Sequence, residues 1–319
     1  MKGLITGVFG AVGSYMWEYI EKEHPDIELH GTARGKNEPT IQNIHIMDLR
    51  DYDMVKHLME AEQFDVIFHF ACDPDVRKSF EEPVAMLDNN ILSTAHLFEA
   101  VRKHSPQTKI ILASTAEVYG RCSDGKPVNE SAPINPDNPY AVSKVTQDLL
   151  ARTYFNCYGL NIVRMRLFSY FNPKREGLFS SAFAKQIAEI EAGRRDVLRH
   201  GNLESIRTFV DVEDACEAYW LAWVHGRGGE AYNVGASNAY SVGFILEKLV
   251  RMANKVIVCE PDPDKFRPTD VKAHIPDSTK FVSETGWEPR IRMGYSLKKL
   301  LDYWREKVNE GILPDNSHS

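Results

Sequence analysis

Cysteine is scarce in this sequence, and the few cysteines are not spaced for shared chemistry. Five stand among 319 residues without a C-x-x-C pair, which predicts neither a disulfide framework nor a zinc knuckle. The 11 histidines show no H-x-H or H-x-x-x-H pairing with carboxylates at ligand spacing, so we expect no metal site.

Two further absences narrow the class of partner. The chain has no basic run, and its 38 lysines and arginines against 45 aspartates and glutamates give a net charge of -7, which argues against nucleic acid or an anionic membrane. No apolar run approaches the roughly 20 residues that span a bilayer. The first residues lead directly into a strand-like segment without a signal-peptide pattern, so we expect a cytoplasmic protein.

What is present is a regular alternation of strand-like and helix-like segments. From residues 3–6 to residues 162–167, short β-branched runs alternate with amphipathic stretches. This rhythm is typical of an α/β protein with a Rossmann-type, doubly wound parallel sheet. Residues 1–170 are predicted to form this domain, with later strands able to contribute. We expect residues 171–313 to be mainly a smaller C-terminal substrate-binding lobe and residues 314–319 a flexible tail.

Three glycines indicate a dinucleotide site. Gly7, Gly10 and Gly13 follow the first predicted strand and open the first predicted helix. Missing side chains at such a turn let the backbone and the helix N-terminus approach a pyrophosphate. The pattern alone is weak, but its place at the first strand–helix junction strengthens the prediction.

The end of the second strand indicates which dinucleotide binds. NAD sites usually place Asp or Glu there, whereas this chain reads G-T-A-R and ends on Arg34. A guanidinium suits a 2'-phosphate, which favours NADP and an NADP-binding domain over residues 1–170 while leaving NAD open. A solvated surface arginine is the alternative. Asp48 and Leu49 follow the third strand and are candidates for the adenine, although a turn explains Asp48 equally well.

A tyrosine and a lysine are spaced for redox chemistry. Tyr140 and Lys144 stand four residues apart on a predicted helix and hence on one face. A nearby ammonium favours the phenolate, which could exchange the proton of an alcohol while a hydride moves to or from nicotinamide. Thr115 ends the neighbouring predicted strand, where its hydroxyl could hydrogen-bond the same oxygen.

The motifs resemble those of the extended short-chain dehydrogenases/reductases that act on nucleotide sugars. The matching pieces are T-G-x-x-G-x-x-G at 6–13, H-F-A-C at 69–72, N-N-I at 89–91, S-T-A-E-V-Y-G at 114–120, P-Y-A-V-S-K at 139–144 and W-E-P at 287–289. The resemblance covers nearly the whole chain. It implies that Thr115, Tyr140 and Lys144 are the catalytic trio and that Asn89 or Asn90 is a buried structural amide.

Within this family, the downstream half resembles GDP-mannose 4,6-dehydratases and GDP-4-keto-6-deoxymannose reductases, which use NADP. The resemblance lies in residues 183–193, 201–207 and 266–271. It implies a GDP-linked sugar whose diphosphate is gripped by Arg207 and Arg267, since forked donors suit that task. Lys185 is a weaker candidate, with helix-surface charge as the alternative.

Two departures from the family pattern concern the sugar and the diphosphate. The sixth strand usually ends R-x-F-N-x-x-G-P, but residues 166–173 read R-L-F-S-Y-F-N-P. Ser169 stands where a substrate-facing Asn is expected, and Asn172 could replace it if the loop is shifted by three residues, as in 4-epimerases. The usual Arg-Asp pair before a late helix is Arg207-Thr208 here, so a charge partner is missing.

Glu117 is the residue that distinguishes among the reactions. In nucleotide-sugar 4,6-dehydratases, a Glu at this position removes the C5 proton after C4 becomes a ketone and that proton becomes acidic. The leading hypothesis is therefore a GDP-mannose-type 4,6-dehydratase. If Glu117 lacks this role, the alternatives are an NADPH-dependent GDP-4-keto-6-deoxy-sugar reductase and a 4-epimerase. A non-catalytic nucleotide-binding regulator would not need the catalytic trio.

The resemblance also implies an assembly. Relatives pair through two helices that correspond to residues 84–103 and 139–156, which carry apolar residues such as Leu149, Phe155 and Tyr158. We expect a homodimer or a dimer of dimers. The alternative is that these residues pack on their own sheet.

Overall fold

The structure is a computed structural model that describes residues 1–35, 42–121, 125–266 and 271–311. Within these ranges the chain forms fourteen strands and ten α-helices. The strands are β1 (Lys2–Thr6), β2 (Glu28–Ala33), β3 (Ile44–Ile46), β4 (Val66–His69), β5 (Lys109–Thr115), β6 (Ile162–Leu167), β7 (Tyr170–Phe171), β8 (Val197–His200), β9 (Ile206–Thr208), β10 (Val210–Asp211), β11 (Ala231–Val234), β12 (Ala239–Ser241), β13 (Val258–Pro261) and β14 (Ala273–His274). The helices are α1 (Gly13–Glu23), α2 (Tyr52–Ala61), α3 (Val76–Glu81), α4 (Pro83–His104), α5 (Pro139–Tyr158), α6 (Phe179–Glu191), α7 (Val212–Val224), α8 (Val242–Val250), α9 (Thr279–Thr285) and α10 (Met293–Asn309).

The centre of the molecule is a parallel sheet of seven described strands in the order β11-β6-β5-β4-β1-β2-β3. From β1 the chain builds outward through β2 and β3, then returns to β4 on the other side of β1. This reversal creates a crevice at the carboxyl ends of β1 and β4, where open α/β sheets bind ligands. The predicted Rossmann-type α/β fold is confirmed.

Hydrophobic cores cover both faces of this sheet. Leu4 and Ile5 are both fully buried and point to opposite faces, as successive strand residues must. Ile5 belongs to a core that includes Met16 of α1 and Ala215 of α7, whereas Leu4 packs in the core that includes Leu97 of α4. Helices on both faces explain why the strands read as continuous apolar runs.

Several helices and short strands that follow β6 in sequence form a smaller region with its own hydrophobic core. Helices α6, α8 and α10 enclose a third core that includes Phe183, Leu246 and Trp304. The short strands β12, β9 and β14 form a separate three-stranded sheet, which brings His274 next to Arg207 in register. In the described ranges no helix is both long and apolar enough to cross a membrane.

Candidate active site

The glycine-rich turn between β1 and α1 is shaped by close backbone packing. Gly7 has a φ of 67°, in the left-handed region that favours glycine, and a Cβ there would lie 3.0 Å from the Ala71 Cα. A Cβ on Gly13 would lie 2.2 Å from the Gly7 carbonyl oxygen, and the Gly10 N–H donates to that same oxygen at 2.9 Å. Helix α1 has no side-chain cap, so its first N–H groups suit a pyrophosphate.

Arg34 lies just beyond the carboxyl end of β2. Its side chain is exposed, and Nη1 donates to Asn89 Oδ1 at 2.8 Å. Asp48 accepts from Arg50, with Nη2 to Oδ2 at 2.7 Å, and this hydrogen bond holds the pKa of Asp48 below its ordinary value, with a smaller contribution from Arg34. The Leu49 side chain is 5% exposed and belongs to the core of the sheet. Arg34 and Asp48 are thus the polar groups beside the predicted adenosine position.

Thr115 and Glu117 lie at the carboxyl end of β5. The Thr115 Oγ1 accepts from the Glu117 N–H at 3.3 Å and caps a short 3-10 helix over Ala116–Tyr119. Asn138 Nδ2 donates to Glu117 Oε2 at 3.3 Å, and Asn138 Oδ1 caps α5 by accepting from the Ala141 N–H. The Asn138 side chain therefore joins Glu117 to the helix that carries Tyr140.

Tyr140 and Lys144 lie on the first turns of α5 and are 6% and 3% exposed. Lys144 Nζ donates to the Ala113 carbonyl oxygen of β5 at 2.6 Å. Burial raises the pKa of Tyr140 and lowers that of Lys144. Both shifts have the same cause, because burial disfavours the charged form of each group, the phenolate and the ammonium. The structure thus brings the predicted trio together at the ends of β5 and α5.

Four nearby residues were not assigned to the site by sequence analysis. Arg175, Tyr170 and Cys72 come from the segments after β6 and β4, and each is among the groups that influence the pKa of Tyr140. His274 of β14 is 4% exposed, pairs through Nε2 with the Gly120 carbonyl oxygen at 2.9 Å, and interacts with Glu117. Cys72 and Tyr170 lie in segments compared with the family pattern, but no spacing in the sequence shows that these four residues lie near the catalytic segment.

A buried ionic network supports the catalytic segment from behind. Asp148, fully buried on α5, accepts from Arg164 Nη1 at 2.8 Å, from Arg166 Nη2 at 2.9 Å and from Ser114 Oγ at 2.9 Å. Arg166 also donates to the Tyr119 hydroxyl at 2.8 Å. Because Ser114 and Tyr119 lie on either side of Thr115 and Glu117, this network fixes the segment that presents them.

The predicted sugar-binding residues have different surroundings. Asn172 is fully buried, and its Nδ2 donates to the Ala11 carbonyl oxygen at 2.9 Å, so its amide supports the glycine-rich turn. Ser169 is half-buried, and its carbonyl oxygen accepts from the Val210 N–H. Neither side chain is exposed, and Asn172 lies against the glycine-rich turn that precedes α1.

The two predicted diphosphate ligands within the described residues, Arg207 and Lys185, each bond to other groups of the protein. Arg207 of β9 donates through Nη1 to the carbonyl oxygens of Ile206 and Val271 and lies beside His274, whose pKa is lowered by burial and, to a smaller extent, by the Arg207 charge. Lys185 of α6 forms an ion pair with Glu176 at 2.9 Å. Arg267 lies outside the described residues. No cluster of His, Cys, Asp or Glu suitable for a metal ion occurs in the described part of the chain.

Comparison with known proteins gives this geometry a family. Residues 4–300 match the model of the family described as GDP-mannose 4,6 dehydratase. The GDP-6-deoxy-D-mannose reductase of Pseudomonas aeruginosa is 26% identical over 309 residues, 96% of this chain and 98% of that protein. The human dTDP-D-glucose 4,6-dehydratase is 28% identical, over 96% of this chain and 90% of that protein.

Solved structures agree with these matches. RMD from Pseudomonas aeruginosa, complexed with NADPH, has a TM-score of 0.86 at 26% identity and covers 96% of this chain and 99% of its own. The UDP-glucose 4-epimerase of Thermus thermophilus, complexed with NAD, has a TM-score of 0.84 at 27% identity, with 96% and 99% covered. The chain therefore belongs to the GDP-mannose 4,6 dehydratase family of extended short-chain dehydrogenases/reductases, which are NAD(P)-dependent enzymes of nucleotide sugars.

Proposed function

We propose that this protein is a nucleotide-sugar 4,6-dehydratase that acts on a GDP-mannose-type substrate. The observation that carries the proposal is the placement of Glu117, whose carboxylate Asn138 ties to the start of α5 at 3.3 Å. The negative charge of Glu117 acts to raise the pKa of both Tyr140 and His274. A carboxylate beside the redox tyrosine is what deprotonation at C5 requires, because that carbon is adjacent to C4.

The roles of the residues follow from this placement. Thr115 would hold the C4 oxygen, and Tyr140 would take its proton as C4 becomes a ketone. When bound, the nicotinamide supplies the hydride acceptor. Glu117 would then remove the C5 proton and pass it to the departing C6 hydroxyl, which leaves as water. The hydride taken from C4 would return to C6 and a proton would return to C5, so the cycle would be redox-neutral. Lys144, anchored on Ala113, would keep the Tyr140 phenolate accessible.

Arg34 supports NADP as the cofactor. The exposed guanidinium follows β2 without a carboxylate in its place, and its partner Asn89 leaves further guanidinium donors for a 2'-phosphate. The Pseudomonas aeruginosa RMD structure in complex with NADPH is consistent with this choice. GDP as the nucleotide is supported by the family model and by the GDP-6-deoxy-D-mannose reductase match.

The test is turnover without added cofactor. Purified protein is incubated with GDP-mannose, dTDP-glucose or UDP-glucose, and the products are followed by mass spectrometry for loss of one water. With a substrate deuterated at C4, a dehydratase should deliver the deuterium to C6 of the product. Glu117→Gln should stop water loss, whereas Glu306→Gln, on the exposed face of α10, should not. Absence of water loss from every substrate would refute the proposal.

A 4-keto-6-deoxy-sugar reductase is the second candidate. The observation that favours it is the near-complete coverage of the Pseudomonas aeruginosa reductase in both sequence and structure. This enzyme would consume NADPH stoichiometrically when given GDP-4-keto-6-deoxymannose. A 4-epimerase would instead return a sugar of unchanged mass from the first assay, so the three reactions give different products.

We also propose that α4 and α5 form a homodimer interface. Leu92, Val142, Leu149 and Tyr158 on these packed helices are 39–57% exposed, whereas Met86 and Leu97 are buried in their own chain. Paired α4 and α5 faces would bury the exposed residues about a twofold axis. Leu149→Asp should lower the sedimentation coefficient to that of a monomer. The control is Val256→Asp, at a residue that is 90% exposed and lies outside α4 and α5, and it should leave the sedimentation coefficient unchanged. If the two variants sediment alike, this interface is refuted.

A further inference from the structure

The side chain of Asn138 forms a hydrogen bond at each end of its amide group. Its Oδ1 accepts from the Ala141 N–H at 2.8 Å and thereby caps α5, while its Nδ2 donates to Glu117 Oε2 at 3.3 Å. A backbone N–H can only donate, so the amide atom that faces Ala141 must be the oxygen. The capping bond therefore fixes the amide donor on the side of Glu117.

Asn138 belongs to the rigid start of α5. Its side chain is 7% exposed, and its carbonyl oxygen accepts the helical bond from the Val142 N–H at 3.0 Å. Pro139 follows as the first helical residue, and its ring fixes the backbone there. Because the backbone and the side chain of Asn138 both bond within the first turn, the amide donor can move only with the helix.

The backbone of Glu117 is fixed as well, which leaves only its side chain to be oriented. The Glu117 N–H donates to Thr115 Oγ1 at 3.3 Å, and the Glu117 carbonyl oxygen accepts from the Gly120 N–H at 3.1 Å. His274 pairs with the Gly120 carbonyl oxygen. Among the described residues, Asn138 is the hydrogen-bond partner of Oε2, and Oε1 has none. The two carboxylate oxygens are therefore not equivalent.

We propose that Asn138 is a positioning residue for the dehydration step, which holds Glu117 Oε2 and so presents Oε1 as the oxygen that takes the C5 proton. This role rests on the proposed function, in which Glu117 is the base. The C5–H bond breaks toward Oε1, and its electron pair forms the C5=C6 double bond as the C6–O bond breaks. The proton on Oε1 then leaves with the C6 hydroxyl as water.

The same amide sets the distance between the two proton-transfer groups. Tyr140 lies two residues after Asn138 on the first turn of α5, and it acts at the C4 oxygen, whereas Glu117 acts at the neighbouring carbon. Proton transfers at adjacent atoms need both groups in place at once. A displacement of about 1 Å can cost about 100-fold in rate, so a fixed bond between Glu117 and α5 contributes directly to turnover.

The test is Asn138→Asp, which keeps the size of the side chain and an oxygen to cap α5 but replaces the amide donor by a charge that repels Glu117. The kcat for water loss should fall by about 10- to 100-fold. KM should stay near the parent value, because the Asn138 amide bonds to the protein at both ends. Oxidation at C4 depends on Tyr140 and not on Glu117, so reduced dinucleotide should accumulate during turnover.

Two measurements distinguish this role from a structural one. The near-ultraviolet absorbance of the reduced dinucleotide follows its accumulation, and a substrate deuterated at C5 should slow Asn138→Asp more than it slows the parent, because C5–H cleavage becomes limiting. The matched control is Ser241→Ala, which removes the side chain that caps α8 by accepting from the Phe244 N–H at 3.0 Å. It should lower the melting temperature without any accumulation of reduced dinucleotide.

The outcomes separate the possible failures. Water loss at the parent rate in Asn138→Asp overturns the proposal, and so does a loss of rate without accumulated reduced dinucleotide, since a purely structural role of Asn138 predicts that result. If Asn138→Asp does not fold, Asn138→Ser keeps a capping hydroxyl but lacks the amide donor, and it should show the same accumulation. A parent enzyme that removes water from none of the nucleotide sugars would instead refute the proposed function itself.

Discussion

Replacement of Asp148 by asparagine should be among the most damaging single-atom changes to this protein. The carboxylate is fully buried and compensates two guanidiniums, Arg164 and Arg166, which are 7% and 3% exposed. Asp148→Asn keeps the volume but leaves both cations without a negative charge. Breaking a buried ion pair in this way costs about 3–5 kcal/mol, which corresponds to a fall in melting temperature of roughly 6–20 °C for a large domain.

Thermal unfolding followed by circular dichroism measures the effect. Ser114→Ala removes one of the hydrogen bonds to the same carboxylate and should cost only about 0.5–1.5 kcal/mol. Asp26→Asn, an exposed carboxylate without an ion-pair partner among the described residues, should stay within about 0.5 kcal/mol of the parent. An Asp148→Asn variant as stable as Asp26→Asn would mean that the arginines find other acceptors, and the reasoning would be wrong.

Three other predictions concern the cofactor and acid stability. Gly13→Ala places a Cβ 2.2 Å from the Gly7 carbonyl oxygen, and the resulting strain of about 1–3 kcal/mol should distort the turn. Dinucleotide binding, measured by fluorescence titration, should therefore weaken. An unchanged dissociation constant would contradict this account of the turn. Arg34→Ala should weaken NADP by about 10- to 100-fold and leave NAD nearly unchanged, and equal losses would count against a 2'-phosphate contact. Buried His69 has its pKa lowered from 6.5 to about 3 by burial, so the native state binds fewer protons than the unfolded state. The free energy of unfolding should therefore fall by about 1.4 kcal/mol for each pH unit below 6.5. For His69→Gln, the free energy of unfolding obtained from urea titrations should depend less steeply on pH.

Local patterns made the dinucleotide turn and the catalytic pair predictable. Gly7, Gly10 and Gly13 lie within one turn, and Tyr140 and Lys144 lie within one helix, so their spacing alone determines which groups meet. The doubly wound parallel sheet was predictable for a similar reason, since alternating strands and helices permit few topologies.

Contacts between distant segments were not predictable in this way. Asp148 meets Ser114 and the two arginines only after α5 has packed on the sheet. Arg175 follows the segment that departs from the family pattern, and it donates to the Pro74 carbonyl oxygen, which is 101 residues away in sequence. The packing of Leu49 was likewise not predictable. Its position after β3 predicts an adenine contact, but the position does not indicate that its apolar side chain packs in the core.

Strand β11, at one edge of the central sheet, is synthesised long after its neighbour β6. β6 ends at Leu167, but its outer neighbour β11 begins only at Ala231, so the ribosome must make the whole of residues 168–230 before the edge is covered. Until then β6 offers unpaired backbone groups and apolar side chains that can pair with another chain. Pairing of strands so distant in sequence is also slow. Chains that stop before Ala231 should therefore collect in inclusion bodies, while the full-length chain should depend on chaperones chiefly during this interval.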